Sequence, residues 1–383
     1  MTQLAAKHRA VNLSQGFPDF DGPDFMIEAA HDAMRSGHNQ YARSVGVPEL
    51  NRAIADFWRR ETGEGIDPDT EVTVTSGCTE AVIATLLGLV NPGEEVILFE
   101  PYYDSYRACI SIAGAEPRFV TLRPPTGAAA GDIVSEPFTF DPDQLRAAFS
   151  SRTAAIIVNT PHNPTGKVFT REELELIAEL CIEHNAVAIT DEVYERLIYE
   201  PDRLPHIRLA TLPGMAERTV TLSSLGKTFS FTGWKIGWAI APAALSASVR
   251  AAHQYLTFAT ATPLQHAAAM ALNRGEDYVR SLVNDYKRRR SMLATGLAEL
   301  GFIVYMPHGS YFILADHSAF GEKSDVDFCM RLITEAGVAA IPPSVFYDNR
   351  DNGKKLVRLA FCKRDETIRE ALQRMEKLKK PHG

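Results

Sequence analysis

From about residue 71 the chain settles into a rhythm of short apolar runs and longer segments of helical spacing. Val72-Thr73-Val74-Thr75 leads into helical periodicity over 79–89, the run 95–99 leads into a helix near Asp104, and the run 155–158 leads, after a loop, into a helix over 171–184. Ala186 to Ile189 follows at once, and a further strand is expected over 219–222. Short apolar runs alternating with helices predict a parallel α/β sheet covered on both faces. Ahead of it, the turn-rich stretch GFPDFDGP precedes an expected helix over 24–35, and a second helix is expected over 48–60. Past about residue 263 the rhythm changes to helices over 264–273 and 277–300, strands over 303–305, 311–314 and 356–361, and a closing helix over 364–379. That pattern predicts a second, α+β domain. The Pro/Gly/Ala-rich stretch 124–131 reads as a surface excursion inside the first domain, because the strand pattern resumes after it.

Composition narrows the partners. A chain of 383 residues is long enough for two domains and a deep core. The net charge of −8 argues against nucleic acid as the main partner. The longest apolar stretches, such as 81–90, are far shorter than a membrane span, and the first residues lack the layout of a secretion signal. Cys78, Cys109, Cys181, Cys329 and Cys362 are odd in number, widely spaced and without C-x-x-C, which suits a reducing cytoplasm and no structural zinc. No His pair stands at ligand spacing with a third ligand nearby, so no metal site is expected. Phe57 and Trp58 read as core, and the charge run 287–290 as a solvated helix face.

Candidate chemistry gathers after the strands, because ligands of open α/β sheets bind beyond the strands' carboxyl ends. The Gly226-Lys227-Thr228 triplet invites a nucleotide P-loop, but Thr221 stands where its first glycine belongs, and loop then strand follow instead of a helix. After 72–75 comes Ser76-Gly77-Cys78-Thr79, a small-residue turn opening a helix and suited to a phosphate, although a plain N-cap reads equally well. After 156–158 comes NTPHNPTG, whose two X-Pro units predict an extended, rigid loop aiming Asn163. Asp191, at the tip of a buried strand, wants a cation, with Tyr194 close behind it. Lys227 follows Ser223-Ser224, and Lys235 is a second cation nearby. Pyridoxal 5′-phosphate asks for all of these: its phosphate, its ring nitrogen, its phenolic oxygen and an aldehyde that captures a lysine as a Schiff base.

The blocks NLSQGFPDFDGP, NQYARSVGVPEL, EPYYDSY, NTPHNPTG, ITDEVYERL, SSLGKTFSFTGWKIGW, AAIPPSVF and LVRLAFCKRD stand in series along nearly the whole chain. In that order they resemble a class I, fold-type I pyridoxal-phosphate aminotransferase. The resemblance is to the branch holding kynurenine/glutamine, methionine and succinyldiaminopimelate aminotransferases. It implies a large α/β domain over 36–262, with a mostly parallel seven-stranded sheet flanked by helices. It also implies a small α+β domain over 263–383, to which the segment 1–35 belongs. By the same resemblance Lys227 carries the Schiff base and moves the proton, Asp191 holds the ring nitrogen charged, and Tyr194 and Asn163 donate to the phenolic oxygen. Gly77, Cys78, Thr79, Ser224 and Lys235 would hold the phosphate, Tyr103 would stack on the ring, and Tyr41 would reach a phosphate across the interface of a homodimer with shared sites. Arg358, which taken alone reads as well as an edge-strand surface arginine, would clamp the substrate α-carboxylate, with Gly16 and Asn163 beside it.

Two departures bear on the substrate. The stretch ahead of VNLSQGFP is short, which bears on how the site closes over substrate, and no clear second arginine offers itself for a side-chain carboxylate, Arg43 being the weak candidate. That favours neutral donors, namely methionine, glutamine, aromatic or kynurenine-like amino acids, passing their amino group to a 2-oxo acid. A succinyldiaminopimelate aminotransferase and a cysteine-conjugate C–S β-lyase are the alternatives. A non-catalytic domain of a transcription regulator would need a winged-helix partner for which the chain has no room.

Overall fold

The computed structural model describes residues 1–378, so the end of the expected closing helix at Lys379 lies outside the described residues; within them that helix runs Asp365–Met375. The large sheet has seven strands in the spatial order Val72–Ser76, Ile236–Ile240, Thr219–Ser224, Val187–Asp191, Thr153–Asn159, Glu95–Glu100 and Glu116–Thr121. All neighbours pair in parallel except Ile236–Ile240, which runs antiparallel to both of its partners.

The pleat explains why these strands read as unbroken apolar runs. Ile97, Phe99, Ile156, Val158 and Ala188 point to one face, where the helix Arg171–Glu183 covers them. Their neighbours Val96, Leu98, Ala155, Ile157 and Ile189 point to the other, against the helices Gly77–Leu89 and Asp104–Ile112. Helix Arg171–Glu183 starts with a capping box in which Thr170 and Glu173 satisfy each other's backbone N–H groups.

A four-stranded sheet carries Leu356–Ala360, Phe312–Asp316, Ile303–Tyr305 and Ile133–Val134 in that order. The last strand follows the Pro/Gly/Ala-rich excursion and pairs in parallel with Val304 and Tyr305, so the chain crosses there to the small sheet. Val11–Asn12 pairs in parallel with Val338–Ala339, which binds the N-terminal loop to the C-terminal part.

Phe57 and Trp58 are buried as expected. The charge run is not uniformly solvated: Lys287 and Arg288 are exposed, but Arg290 is buried. The reason is helical spacing, since Arg290 lies one turn beyond the core residue Tyr286 and turns inward to Glu200 (2.6 Å) and the Pro307 carbonyl (2.7 Å).

Candidate active site

A cavity of about 470 Å³ opens beyond the carboxyl ends of the large sheet and extends to the small one. Asn159, Asp191 and Ser224 end three of its parallel strands, and Gly77 follows a fourth. Of the sequence-predicted residues, Gly16, Gly77, Cys78, Thr79, Tyr103, Asn163, Asp191, Tyr194, Ser224, Lys227, Lys235 and Arg358 all line it. Tyr41 does not: it stands 88% exposed, edge-on to Phe258 at 5.6 Å. Arg43 also lies apart, paired with Asp69 at 2.9 Å.

Gly77 opens the helix Gly77–Leu89 at φ +74°, a left-handed conformation that costs glycine nothing. A Cβ there would come within 2.9 Å of Lys235 Nζ, so the lysine packs straight over the turn. No side chain caps this helix start, and the plain N-cap alternative falls away. Free N–H groups, the helix dipole and an ammonium converge on one place, which is what a phosphate needs.

Asp191 is 5% exposed. Its Oδ2 accepts the Tyr106 hydroxyl at 2.6 Å and its Oδ1 the Val193 N–H at 3.2 Å. Burial still holds the carboxyl above its usual range, against the pull of these donors and of Lys227. Among the described residues it has no ion-pair partner within 4 Å, so it suits a cationic ring nitrogen. Lys227 sits on the single helical turn Leu225–Thr228, 5.9 Å from the Tyr194 ring centre and 5.7 Å from that of Tyr311. Burial pulls its ammonium below the usual lysine range; Asp191 opposes that pull and Lys235 adds to it.

Arg358 is no surface residue. It is 9% exposed, on Leu356–Ala360 between Phe312–Asp316 and a bridge to Ile341. Its guanidinium donates to Asn163 Oδ1 (3.2 Å) and the Ser14 carbonyl (3.3 Å), lies over the rings of Phe312 and Phe346, and keeps a buried Nε without partner. Burial lowers its pKa to about 10. No carboxylate pairs with it among the described residues, so it is poised for a ligand's carboxylate. Gly16 lies beside it, where a Cβ would meet Phe312 at 2.5 Å, and its carbonyl accepts the Tyr311 hydroxyl at 2.6 Å.

The NTPHNPTG loop is not extended. Both X-Pro bonds are cis, and the loop doubles back so that the His162 N–H reaches the Lys167 carbonyl at 2.8 Å. The local preference before proline yields here to that turn. Asn163 is nevertheless aimed into the cavity, its N–H held by Asn159 Oδ1 at 2.7 Å.

Sequence reasoning missed Asn159, Tyr106, Ser14, Phe312 and Phe346. Asn159 is the first polar residue after an apolar run, the signal that exposed Asp191. Tyr106 lies three residues past Tyr103, on the same helical face. Ser14 and the two phenylalanines carry no local signal. Elsewhere, Glu192, Glu195 and His206 gather within 4.8 Å of one another, the spacing of a metal site. Arg208 bonds both carboxylates and already serves as their cation.

Phosphate cradle, unpaired buried carboxylate, buried lysine and carboxylate-seeking arginine all fit pyridoxal 5′-phosphate, and fold and cavity together define a pyridoxal-phosphate enzyme of the amino-transferring kind. The chain belongs to the family aminotransferase class I and II, which residues 8–375 match. It is 48% identical to the probable N-succinyldiaminopimelate aminotransferase DapC of Mycobacterium tuberculosis, over 99% of this chain and 94% of that protein. The solved structure of the N-succinyldiaminopimelate aminotransferase from that organism superposes with a TM-score of 0.94 at 48% identity, covering 99% of this chain and 96% of the other. The methionine aminotransferase of Escherichia coli is 40% identical over 99% of this chain and 94% of its own length. The protein is therefore a pyridoxal-phosphate-dependent aminotransferase, acting on an amino acid and a 2-oxo acid. Among the described residues no helix is long and apolar enough to cross a membrane.

Proposed function

We propose that the enzyme moves the amino group of a neutral L-amino acid, with a methionine-, glutamine-, aromatic- or kynurenine-like side chain, to a 2-oxo acid, using Lys227 as its covalent and proton-carrying residue. The observation that carries the substrate class is the charge inventory of the cavity. Among the described residues, Lys227, Lys235 and Arg358 are its lysine and arginine residues. In this reading the covalent link, the phosphate and the α-carboxylate occupy all three. A side-chain carboxylate would face Phe17, Ile341, Val345, Phe346 and Asp104 without a counter-ion.

Pyridoxal 5′-phosphate supplies an aldehyde that captures amines and a ring that accepts the electron pair released at the substrate Cα. The chain's residues do the rest. Lys227 Nζ, its basicity lowered by burial, would take the proton from the substrate Cα and hold it for return. Asp191 keeps the ring nitrogen protonated, Tyr194 and the Asn163 amide NH2 donate to the phenolic oxygen, and Tyr103 stacks on the ring. Gly77, Cys78, Thr79, Ser224 and Lys235 hold the phosphate. Arg358, with Gly16 and Asn163 beside it, takes the carboxylate common to donor and acceptor, so one clamp serves both half-reactions.

The exposed Tyr41 supports a homodimer in which this residue reaches the phosphate of the partner subunit's site. The pairing of Val11–Asn12 with Val338–Ala339 supports a division into a cofactor-holding domain over 36–262 and a smaller one built from 1–35 and the chain past 262, with Ile133–Val134 crossing from the first to the small sheet. A cytoplasmic location completes the reading, supported by five free cysteines.

Tyr106→Phe removes the hydroxyl donor on Asp191 and leaves the Val193 N–H. The Asp191 pKa, already raised by burial, rises further, so the acidic limb of the kcat/KM profile moves to higher pH and activity is lost sooner as pH falls. At neutral pH a loss of roughly tenfold is expected for one charge-assisted hydrogen bond; an unmoved acidic limb refutes the role of Asp191.

The substrate class is tested by measuring kcat/KM for methionine, glutamine, phenylalanine, kynurenine, aspartate and N-succinyl-LL-diaminopimelate against a series of 2-oxo acids. Neutral donors are expected to exceed aspartate about 100-fold, the cost of leaving a buried carboxylate unpaired. The 48% identity to the probable DapC favours a second reading, in which the succinylated donor is the substrate. That reading replaces the first if this donor gives the highest kcat/KM.

A further inference from the structure

Glu80 stands in the first turn of the helix Gly77–Leu89, in the same turn as the phosphate cradle, and is buried. Its Oε2 accepts the Ser76 backbone N–H; its Oε1 accepts the Thr257 hydroxyl at 2.6 Å and faces His253 Nδ1 at 2.7 Å. His253, 0% exposed on the helix Ala243–Leu256, faces the Ser44 carbonyl with Nε2, also at 2.7 Å. Both ring nitrogens therefore meet acceptors. A neutral imidazole has a single N–H, so with Glu80 ionised only the imidazolium satisfies both. Burial works against charge on each partner, yet their hydrogen bond and mutual attraction hold Glu80 below the usual carboxylate range and His253 above the usual histidine range.

A lone carboxylate in that turn would repel a phosphate dianion in surroundings of low dielectric. We propose that His253 is a positioning residue whose imidazolium cancels the charge of Glu80 beneath the phosphate cradle and ties that cradle to the loop of Ser44, three residues beyond Tyr41. This rests on the reading above that residues 77–79 hold the cofactor's phosphate.

The test is the dissociation constant of the cofactor-free protein for pyridoxamine 5′-phosphate, which has the phosphate but no aldehyde for Lys227, and for pyridoxamine, which lacks the phosphate. His253→Gln is expected to weaken pyridoxamine 5′-phosphate about tenfold, whereas Glu80→Gln leaves it equal or tighter. The double variant returns to within about threefold of wild type, and pyridoxamine shifts by less than about threefold throughout. A pair serving only as a structural bolt weakens binding in both single variants, with no recovery in the double, and that result overturns the proposal. Should His253→Gln fail to fold, Glu80→Gln decides alone: equal or tighter binding supports the proposal, and tenfold weaker binding overturns it. A wild-type protein that does not bind pyridoxamine 5′-phosphate overturns the cofactor reading itself, a result distinct from any difference among variants.

Discussion

Lys227→Ala is expected to lower kcat for amino transfer by roughly 10⁴-fold or more, because the covalent link and the proton carrier vanish together. Borohydride treatment of the wild-type protein bleaches its near-visible absorbance and fixes the cofactor on the peptide containing residue 227. The variant binds cofactor weakly and retains no label. Lys227→Arg sharpens the result, since it keeps a cation in the cavity but offers no nucleophile; it should be nearly as inactive as the alanine variant. Full turnover in either variant ends the assignment. The two neighbouring rings and the buried setting favour the neutral amine through desolvation, the form that the expected nucleophile needs.

Arg358→Ala is expected to raise KM for the amino donor and for the oxo acceptor alike, with kcat/KM falling by about 2–4 kcal/mol, or roughly 30- to 1,000-fold, in each half-reaction. Arg358→Lys restores only part of the loss, because a single ammonium cannot reproduce two parallel N–H donors. Steady-state KM values for both substrates check this. An effect on one substrate alone breaks the idea of a shared clamp.

Much of the site was legible because polar residues ending apolar strands stand out against their surroundings. Asp191, Lys227 and the turn 76–79 were visible that way, and Asn159 carries the same signal one strand over. The parallel sheet was legible for a related reason, since strands buried on both faces leave short unbroken apolar runs. The edge strand Glu116–Thr121 left no such trace, being half exposed and carrying Pro117. Helix Ala243–Leu256 was silent too, because its sequence is rich in alanine and serine and shows no broad apolar stripe. Phe312 and Phe346 belong to the site only through tertiary packing, which brings the small sheet over the large one. The NTPHNPTG turn shows the same limit from the other side, its local preference for extension overridden by the fold.

Arg358 donates to Ser14 near the start of the chain and to Asn163 in its middle, while itself standing near the end. In the proposed clamp, a carboxylate on this guanidinium would therefore join three remote stretches of polypeptide at one point. If the clamp acts as proposed, an amino acid and an oxo acid held there would each brace the seam between the two sheets from the same point.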